Sequence, residues 1–312
     1  MAIMKKDPRN PIITAEQVPA DCIYVSNPGC IKVGNEYVMI VNVSLETGPI
    51  VFWIARSTNG VDFTFEDEPI DWPLPPASWP EDCVYDARIT EIDGVYYLVH
   101  CSSCATMGER VGIVKTTDFK TFERVGVVSE LGNRNGVLFP EKINGLYARL
   151  DRPFGNEMNP CDTWISYSPD LTYWGNSEPV LSRRPGYWDR QKVGGGAVPI
   201  KTKDGWLAIY HGVGETCNGF IYSLGAAILD YENPAKVIAR TEDAILYPKH
   251  DYEILGRVNN VVFACNAIVG DDGDSINVYY GAADSQIGLA TTSISELTKA
   301  CYTKNKYSLK SN

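Results

Sequence analysis

Short apolar runs recur along the whole chain, each ending within a few residues at Gly, Asn or Asp. Residues 95–99 and 205–209 are examples. Runs of this length that are rich in aliphatic and aromatic residues are typical of β-strands. Apolar positions spaced three or four apart, which would indicate a helix, are nearly absent, and the best candidate is the short segment 293–298. The pattern therefore predicts an all-β protein with many short strands.

The strands are organised in a repeat. Its unit is an apolar strand, a turn containing Gly, a second strand that begins with an aromatic residue, a third strand and a polar turn. Copies of the first part occur at residues 30–40, 89–99, 141–150, 199–209 and, more loosely, 267–280. The closing turns at residues 57–63, 116–122 and 168–174 also resemble one another. Copies roughly 50 to 70 residues apart that fill a chain are the signature of a β-propeller.

The repeat decides the domain organisation. A length of 312 residues suggests two domains by the usual prior of about 100 to 200 residues per domain. Five similar units instead predict one five-bladed β-propeller domain over residues 1–312. The predicted blades are approximately 20–65, 80–125, 133–176, 188–232 and 258–295.

Charge narrows the range of partners. Lys and Arg number 28 against 39 Asp and Glu, which gives a net charge of −11. This charge opposes binding to nucleic acid or to an anionic membrane. The N-terminus shows no secretory signal and no segment reaches the ~20 apolar residues of a membrane span. Nine scattered cysteines, several in apolar strands, are typical of reduced thiols, so we expect a cytoplasmic protein.

Several catalytic classes lack their motifs here. The three histidines cannot form HExxH, and the chain has no G-x-S-x-G, Walker A or dinucleotide-binding glycine motif. Cys101 and Cys104 have the spacing of half a zinc site or of a redox pair, but no second pair matches them, and we expect no metal. The remaining chemistry is that of carboxylates and cations. Asp86 follows Tyr85 at the start of the second blade and could be a general acid, or it could pair with Arg88 to fix the strand.

Four basic residues occupy corresponding positions in the third and fourth blades. They lie at the starts of first strands and the ends of second strands, which converge near one mouth of a propeller. They are Arg134, Arg152, Lys192 and His211. Each alone could be a surface or paired charge. Together, in a protein of net charge −11, they predict a site for phosphate or sulfate.

The chain resembles glycoside hydrolase family 130, the β-mannoside phosphorylases, in the sequence and order of five segments: residues 84–97, 135–147, 192–194, 205–213 and 280–284. The resemblance implies a five-bladed propeller that cleaves a β-mannoside with inorganic phosphate and inverts the anomeric centre, giving α-mannose 1-phosphate. It implies that Asp86 is the acid and delivers its proton through the 3-hydroxyl of the mannosyl unit. The phosphate contacts that it implies are Arg134, Arg152, Lys192, His211 and Tyr222. We expect the sugar to contact Tyr85, Arg88, Asp151 and Asp284.

The expected partners are thus a small oligosaccharide and phosphate as co-substrate, without a metal or organic cofactor. Three places depart from the family pattern. Ala87 replaces a common Pro, Asn266 replaces Gly, and residues 41–44 contain no Arg where many members have one at the end of the first blade's inner strand. These departures leave the linkage and acceptor sugar open, and homo-oligomerisation is open as well. Two other interpretations compete. One is a β-mannosidase that uses water with Asp151 or Asp284 as base, and the other is a non-catalytic sugar-binding propeller.

Overall fold

The computed structural model describes residues 3–153, 161–217 and 219–304 and consists of five antiparallel sheets around one axis. The predicted five-bladed β-propeller is confirmed. The chain begins with β1 (Lys5–Lys6), and the first blade follows with β2 (Cys22–Val33), β3 (Glu36–Leu45), β4 (Ile50–Ser57) and β5 (Thr64–Phe65). The second blade contains β6 (Cys83–Ile92), β7 (Val95–Cys104), β8 (Gly108–Thr116) and β9 (Glu123–Val127).

The third blade contains β10 (Asn133–Leu138), β11 (Tyr147–Pro153), β12 (Thr163–Ser168) and β13 (Gly175–Leu181). The fourth blade contains β14 (Lys192–Gly195), β15 (Ile200–Thr202), β16 (Gly205–Thr216), β17 (Gly219–Leu229) and β18 (Val237–Arg240). The fifth contains β19 (Val262–Val269), β20 (Ser275–Ala282) and β21 (Gln286–Ser293). The described helices are a 3-10 turn at Ala15–Gln17, α1 (Asp251–Ile254) and α2 (Ile294–Tyr302). None of these is long and apolar enough to cross a membrane.

The two ends of the chain meet in the fifth blade. Strand β1 pairs with β21, so that Lys5 lies opposite Thr291 and Lys6 opposite Ala290. The Lys6 ammonium also forms a 2.6 Å ion pair with Glu253, whose side chain is fully buried. The sequence pattern did not predict this strand, because two lysines carry no strand periodicity. Pairing of the first strand with the last blade closes the ring and gives that sheet its fourth strand.

The innermost strands meet closely at the axis. A Cβ on Gly29 of β2 would lie 2.3 Å from the carbonyl oxygen of Ala87 in β6, so only glycine fits there. Arg88 is 1% exposed and extends from the second blade to the fourth, where it donates hydrogen bonds to the carbonyls of Gly195 and Gly196. The Asn266 side chain pairs with both backbone groups of Ile89, which ties the fifth blade to the second. These contacts fix the relative positions of the blades beneath the site.

Candidate active site

A cavity of about 390 Å³ lies at the axis, and every blade contributes to its wall. Asn27, Asp86, Arg134, His211 and Phe263 represent the five blades in order. Sequence reasoning placed the ligand at this position because innermost strands and their loops converge on the axis of a propeller.

Three of the inner strands carry the same local distortion. The pairing register shifts between Ser26 and Gly29 in β2, between Tyr85 and Arg88 in β6, and between Arg134 and Val137 in β10. Each bulge contains an Asn or Asp in the left-handed region, with φ of 43° at Asn27, 59° at Asp86 and 56° at Asn135. Asn and Asp tolerate this conformation better than other side chains with a Cβ. All three side chains line the cavity, so the bulges aim them at a ligand.

Asp86 is buried and held by two asparagines of the first blade. Its Oδ1 accepts hydrogen bonds from the amide nitrogens of Asn27 at 2.9 Å and Asn42 at 3.1 Å. The Asn42 side-chain oxygen accepts the Asp86 backbone N–H at 3.0 Å. Because both amides use Oδ1, a proton on the acid would reside on Oδ2. Arg88 donates to the Asp86 backbone carbonyl and forms no ion pair with its carboxylate, so the alternative of an Asp86–Arg88 salt bridge is wrong.

Asp284 is the second carboxylate of the cavity. Burial and the nearby negative charge of Asp86 raise the pKa of Asp284 to about 6, while Arg257 and a hydrogen bond from Asn27 oppose that rise. Two carboxylates in one pocket disfavour each other's ionised form. Asp284 is therefore poised to take up a proton close to neutral pH.

The third blade contributes two arginines that face each other to another part of the wall. Arg134 of β10 and Arg152 of β11 are direct cross-strand partners, and both line the cavity. Like charges in this position destabilise a sheet. Glu109 lies 3.7 Å from Arg134, whereas the described residues provide no carboxylate partner for Arg152, which is 5% exposed. Burial and the positive charge of Arg134 lower the pKa of Arg152 to about 10. Such a pair is stabilised when an anion binds between the two guanidinium groups.

His211 supports this wall as a neutral side chain. Burial and the charge of Arg152 lower the pKa of His211 well below 6.5. Its Nδ1 lies 3.2 Å from the Gly195 carbonyl, and its Nε2 lies 3.1 Å from Nη1 of Arg152. An uncharged ring that donates through Nδ1 accepts the arginine N–H through Nε2. His211 thus orients Arg152 and adds no charge, so the predicted group of four cations contains three.

Two further predicted anion ligands flank the wall. Burial and the neighbouring charge of Arg152 lower the pKa of Lys192, whose ammonium lies 4.7 Å from the centre of the Phe220 ring, beside the cavity lining. Tyr222 lines the cavity and stacks on His211 with the ring centres 6.3 Å apart. The structure therefore brings Arg134, Arg152, His211 and Tyr222 into the cavity and leaves Lys192 at its edge.

Two of the four predicted sugar contacts lie elsewhere. Tyr85 and Asp284 line the cavity, but Arg88 is beneath it, with its guanidinium bound to backbone carbonyls. Asp151 is on the other face of β11 from Arg152, because successive side chains of a strand point in opposite directions. It pairs with Arg149 at 2.9 Å instead. Within the described residues, no group of three or more His, Cys, Asp or Glu side chains has the arrangement of a metal site.

Sequence reasoning missed the polar residues that hold the acid. Asn42 was noted only as part of residues 41–44, a segment that departs from the family pattern, and Asn27 carried no recognised signal. Asn135, a further amide of the cavity lining, carried none either. Asn27 lies two residues before Gly29 and Asn135 one residue before Gly136, in the innermost strands of their blades. This shared placement was the available sign. Arg257 and Phe263 also line the cavity, from a loop and from β19. Arg257 lies beside the first blade, where it donates to the Ser44 hydroxyl at 3.2 Å.

The sequence model of glycoside hydrolase family 130, described as beta-1,4-mannooligosaccharide phosphorylase, matches residues 12–303. The chain belongs to this family. The resemblance found in the sequence is therefore confirmed. A beta-1,2-mannobiose phosphorylase of Listeria innocua is 41% identical over 244 residues, which are 78% of this chain and 66% of that protein. A beta-1,4-mannooligosaccharide phosphorylase of Ruminococcus albus is 41% identical over 214 residues, which are 68% of this chain and 63% of that protein.

The chain thus aligns with slightly less than two thirds of the length of these two family members. A 4-O-beta-D-mannosyl-D-glucose phosphorylase of Bacteroides fragilis is 31% identical over 88% of this chain and 74% of that protein. Among solved structures, the complex of the Listeria innocua beta-1,2-mannobiose phosphorylase with beta-1,2-mannobiose superposes with a TM-score of 0.88 and 30% identity. That superposition covers 96% of this chain and 99% of the other.

Proposed function

We propose that this chain is an inverting β-mannoside phosphorylase that uses inorganic phosphate to release α-mannose 1-phosphate and an acceptor sugar. The names of its relatives support a short β-mannoside as substrate, either a mannobiose, a manno-oligosaccharide or mannosyl-glucose. The observation that carries the proposal is the facing pair Arg134 and Arg152 in the same cavity as Asp86. A glycosidase that uses water has no need for such a pair.

Asp86 is proposed as the general acid. Its Oδ1 is engaged by two amides, so the acidic proton on Oδ2 is directed at the ligand. The family mechanism passes this proton through the mannosyl 3-hydroxyl to the glycosidic oxygen. As that oxygen leaves C1, hydrogen phosphate forms the new C1–O bond from the opposite face. Hydrogen phosphate releases one proton when it forms this bond. That proton replaces the one that Asp86 has lost, so the reaction consumes no net proton.

The cationic wall is proposed to hold the nucleophile. Arg134, Arg152 and the edge residue Lys192 offset the charge of the phosphate dianion, while neutral His211 and Tyr222 fix its orientation. Donors placed before the reaction contribute position and charge compensation without reorganising. Phosphate is itself the nucleophile, and a second carboxylate that activates water is therefore unnecessary.

Hydrolysis is the competing function, and Asp284 is the observation in its favour. Its carboxyl shares the cavity with Asp86 and could activate water when ionised. Asp151, the other base considered, lies outside the cavity. The facing arginines, of which Arg152 is buried, favour phosphate over water as the attacking group.

One assay distinguishes these functions. The protein is incubated with β-1,2-mannobiose, β-1,4-mannobiose and 4-O-β-mannosyl-glucose, with and without phosphate, and the products are followed by NMR. We expect α-mannose 1-phosphate only when phosphate is present. Equal cleavage without phosphate, giving free mannose, would establish hydrolysis, and no cleavage of any substrate would indicate a binding protein. The Asp86→Asn variant controls for contaminating activity.

We also infer a cytoplasmic location. Five of the nine cysteines are buried free thiols, which is typical of proteins in a reducing compartment. Fractionation of the producing cells tests this inference, and recovery of the protein outside the cytoplasm would contradict it.

A further inference from the structure

A second cavity of about 570 Å³ lies between the second and third blades, behind the cationic wall. Strands β10 and β11 separate it from the axial cavity. Because their side chains alternate, Arg134 and Arg152 face the axis while Asn133, Arg149 and Asp151 line the second cavity. The two cavities share no described lining residue. This second cavity has no part in the chemistry proposed above.

Polar groups in this cavity have unused hydrogen-bonding capacity. Asn133 is 6% exposed, and its side-chain oxygen has no hydrogen-bond partner. The Trp164 indole N–H is buried and has none either. Buried polar groups in native proteins are nearly always paired, so each exception needs an explanation. A ligand that offers one donor to Asn133 and one acceptor to Trp164 would explain both.

The buried ion pair of the cavity leaves a further acceptor. Arg149 Nη2 and Nε donate to Oδ2 of Asp151 at 2.9 and 3.2 Å, and Ser166 donates to the same oxygen at 3.1 Å. Within the described residues, no hydrogen bond reaches Oδ1. The pair also neutralises its own charges, and Arg110 is engaged by the carbonyls of Ser129 and Val127. The cavity therefore suits a neutral ligand with hydroxyl groups better than an anion.

Aromatic faces complete the site. The Arg149 guanidinium lies 4.1 Å from the centre of a ring of Trp174, and Trp164 lines the same wall. Tyr173 is 75% exposed at the rim. A flat apolar surface beside planar amide and carboxylate groups matches a pyranose, whose C–H face packs on aromatic rings while its hydroxyls form hydrogen bonds.

We propose that the cavity between blades two and three binds a hexopyranose unit of a neutral saccharide. The ligand packs its C–H face on the exposed Tyr173 ring at the rim, accepts from the Trp164 indole and donates to Asn133 and Asp151. A free monosaccharide and the terminal unit of an oligosaccharide have the same chemistry, and the test separates them. Binding of a saccharide in this cavity does not depend on the phosphorolysis proposed for the axial cavity.

The Trp164 indole is a specific reporter, because the described lining of the axial cavity contains no tryptophan. The experiment titrates ¹⁵N-labelled protein in phosphate-free buffer with D-mannose, D-glucose or β-1,4-mannobiose and follows the seven indole resonances. The Trp164→Phe variant assigns the Trp164 resonance. Since that N–H has no partner in the free protein, a new hydrogen bond should shift its proton downfield. The saccharide that produces the shift identifies the source.

Two exposed aromatic residues provide a matched pair of variants. Tyr173→Ala should weaken the affinity about tenfold, because the stacking face at the rim is lost. Tyr302→Ala, at the end of α2, removes a ring that is 52% exposed and far from this cavity, and it should leave the titration unchanged. The proposal is overturned if none of the three saccharides moves the Trp164 resonance, or if both variants weaken the shift equally. Both substitutions are at the surface, so loss of folding does not obscure the result.

Discussion

Replacement of Arg152 by Met should stabilise the free protein and abolish its response to phosphate. Arg152 is buried without a described carboxylate partner, and its pKa falls from 12.5 to about 10. This lowered pKa means that the folded state disfavours the charged form of Arg152 by about 3 kcal/mol at every pH below 10. The hydrogen bond to His211 returns about 1 kcal/mol. The free energy of unfolding of Arg152→Met should therefore exceed that of the wild type by about 2 kcal/mol in phosphate-free buffer.

The measurement is urea unfolding at pH 7 with and without phosphate, together with kcat/KM for phosphate. Phosphate should stabilise the wild type but not the variant, whose KM for phosphate should rise sharply. Arg149→Met is the matched control on the same strand, because it leaves Asp151 buried and unpaired and should cost about 3–5 kcal/mol. If Arg152→Met loses as much free energy of unfolding as Arg149→Met, the charge of Arg152 does not destabilise the free protein. If phosphate stabilises the wild type and Arg152→Met equally, the cationic wall does not bind phosphate.

Three other variants test single groups. Asp86→Asn cannot release a proton, so kcat should fall about 10²- to 10⁴-fold with an unchanged unfolding midpoint; wild-type turnover would exclude Asp86 as the acid. Asn42→Ala leaves the buried Asp86 N–H unpaired and should lower the free energy of unfolding in urea by about 1–3 kcal/mol, with reduced kcat. Unchanged stability would show that the hydrogen bond from Asp86 to Asn42 is dispensable. The folded pKa of Asp284, about 6, exceeds the ordinary 3.8, so the wild type should gain stability relative to Asp284→Asn as the pH falls from 7 to 4, by about 2 kcal/mol. Parallel stability curves for these two proteins would refute the raised pKa.

The repeat was readable from the sequence because each blade uses the same hairpin. Gly34 and Gly94 have φ of 59° and 78°, which residues with a Cβ rarely adopt, so the turn keeps its glycine in successive blades. Strand β1 could not be predicted from the sequence, since Lys5 and Lys6 become a strand only through pairing with β21. Pairing between the chain ends is a tertiary event that leaves no local periodicity.

The site was readable to the extent that its charges were unusual. Arg134 and Arg152 stood out against an acidic chain, and their positions at strand ends placed them together. The direction of each side chain could not be read where a bulge intervenes, because one extra residue reverses the alternation. Arg88 follows such a bulge, two residues after the cavity residue Asp86. Asp151 has no such reason, because β11 pairs with β12 in unbroken register and ordinary alternation places it on the other face from Arg152.

The ring divides the proposed chemistry into two halves. Blades five and two provide the two carboxylates of the described cavity lining, Asp284 and Asp86, and blades three and four provide Arg134, Arg152 and the edge residue Lys192. An inverting displacement needs the acid and the nucleophile on opposite faces of the sugar, which this division allows without a second carboxylate. Arg88 connects the halves, because it donates to the backbone of Asp86 in one and to Gly195 and Gly196 in the other. Arg88, first taken for a sugar contact, therefore ties the backbone of the proposed acid to the Gly195 carbonyl, which also lies 3.2 Å from His211, the residue that orients Arg152.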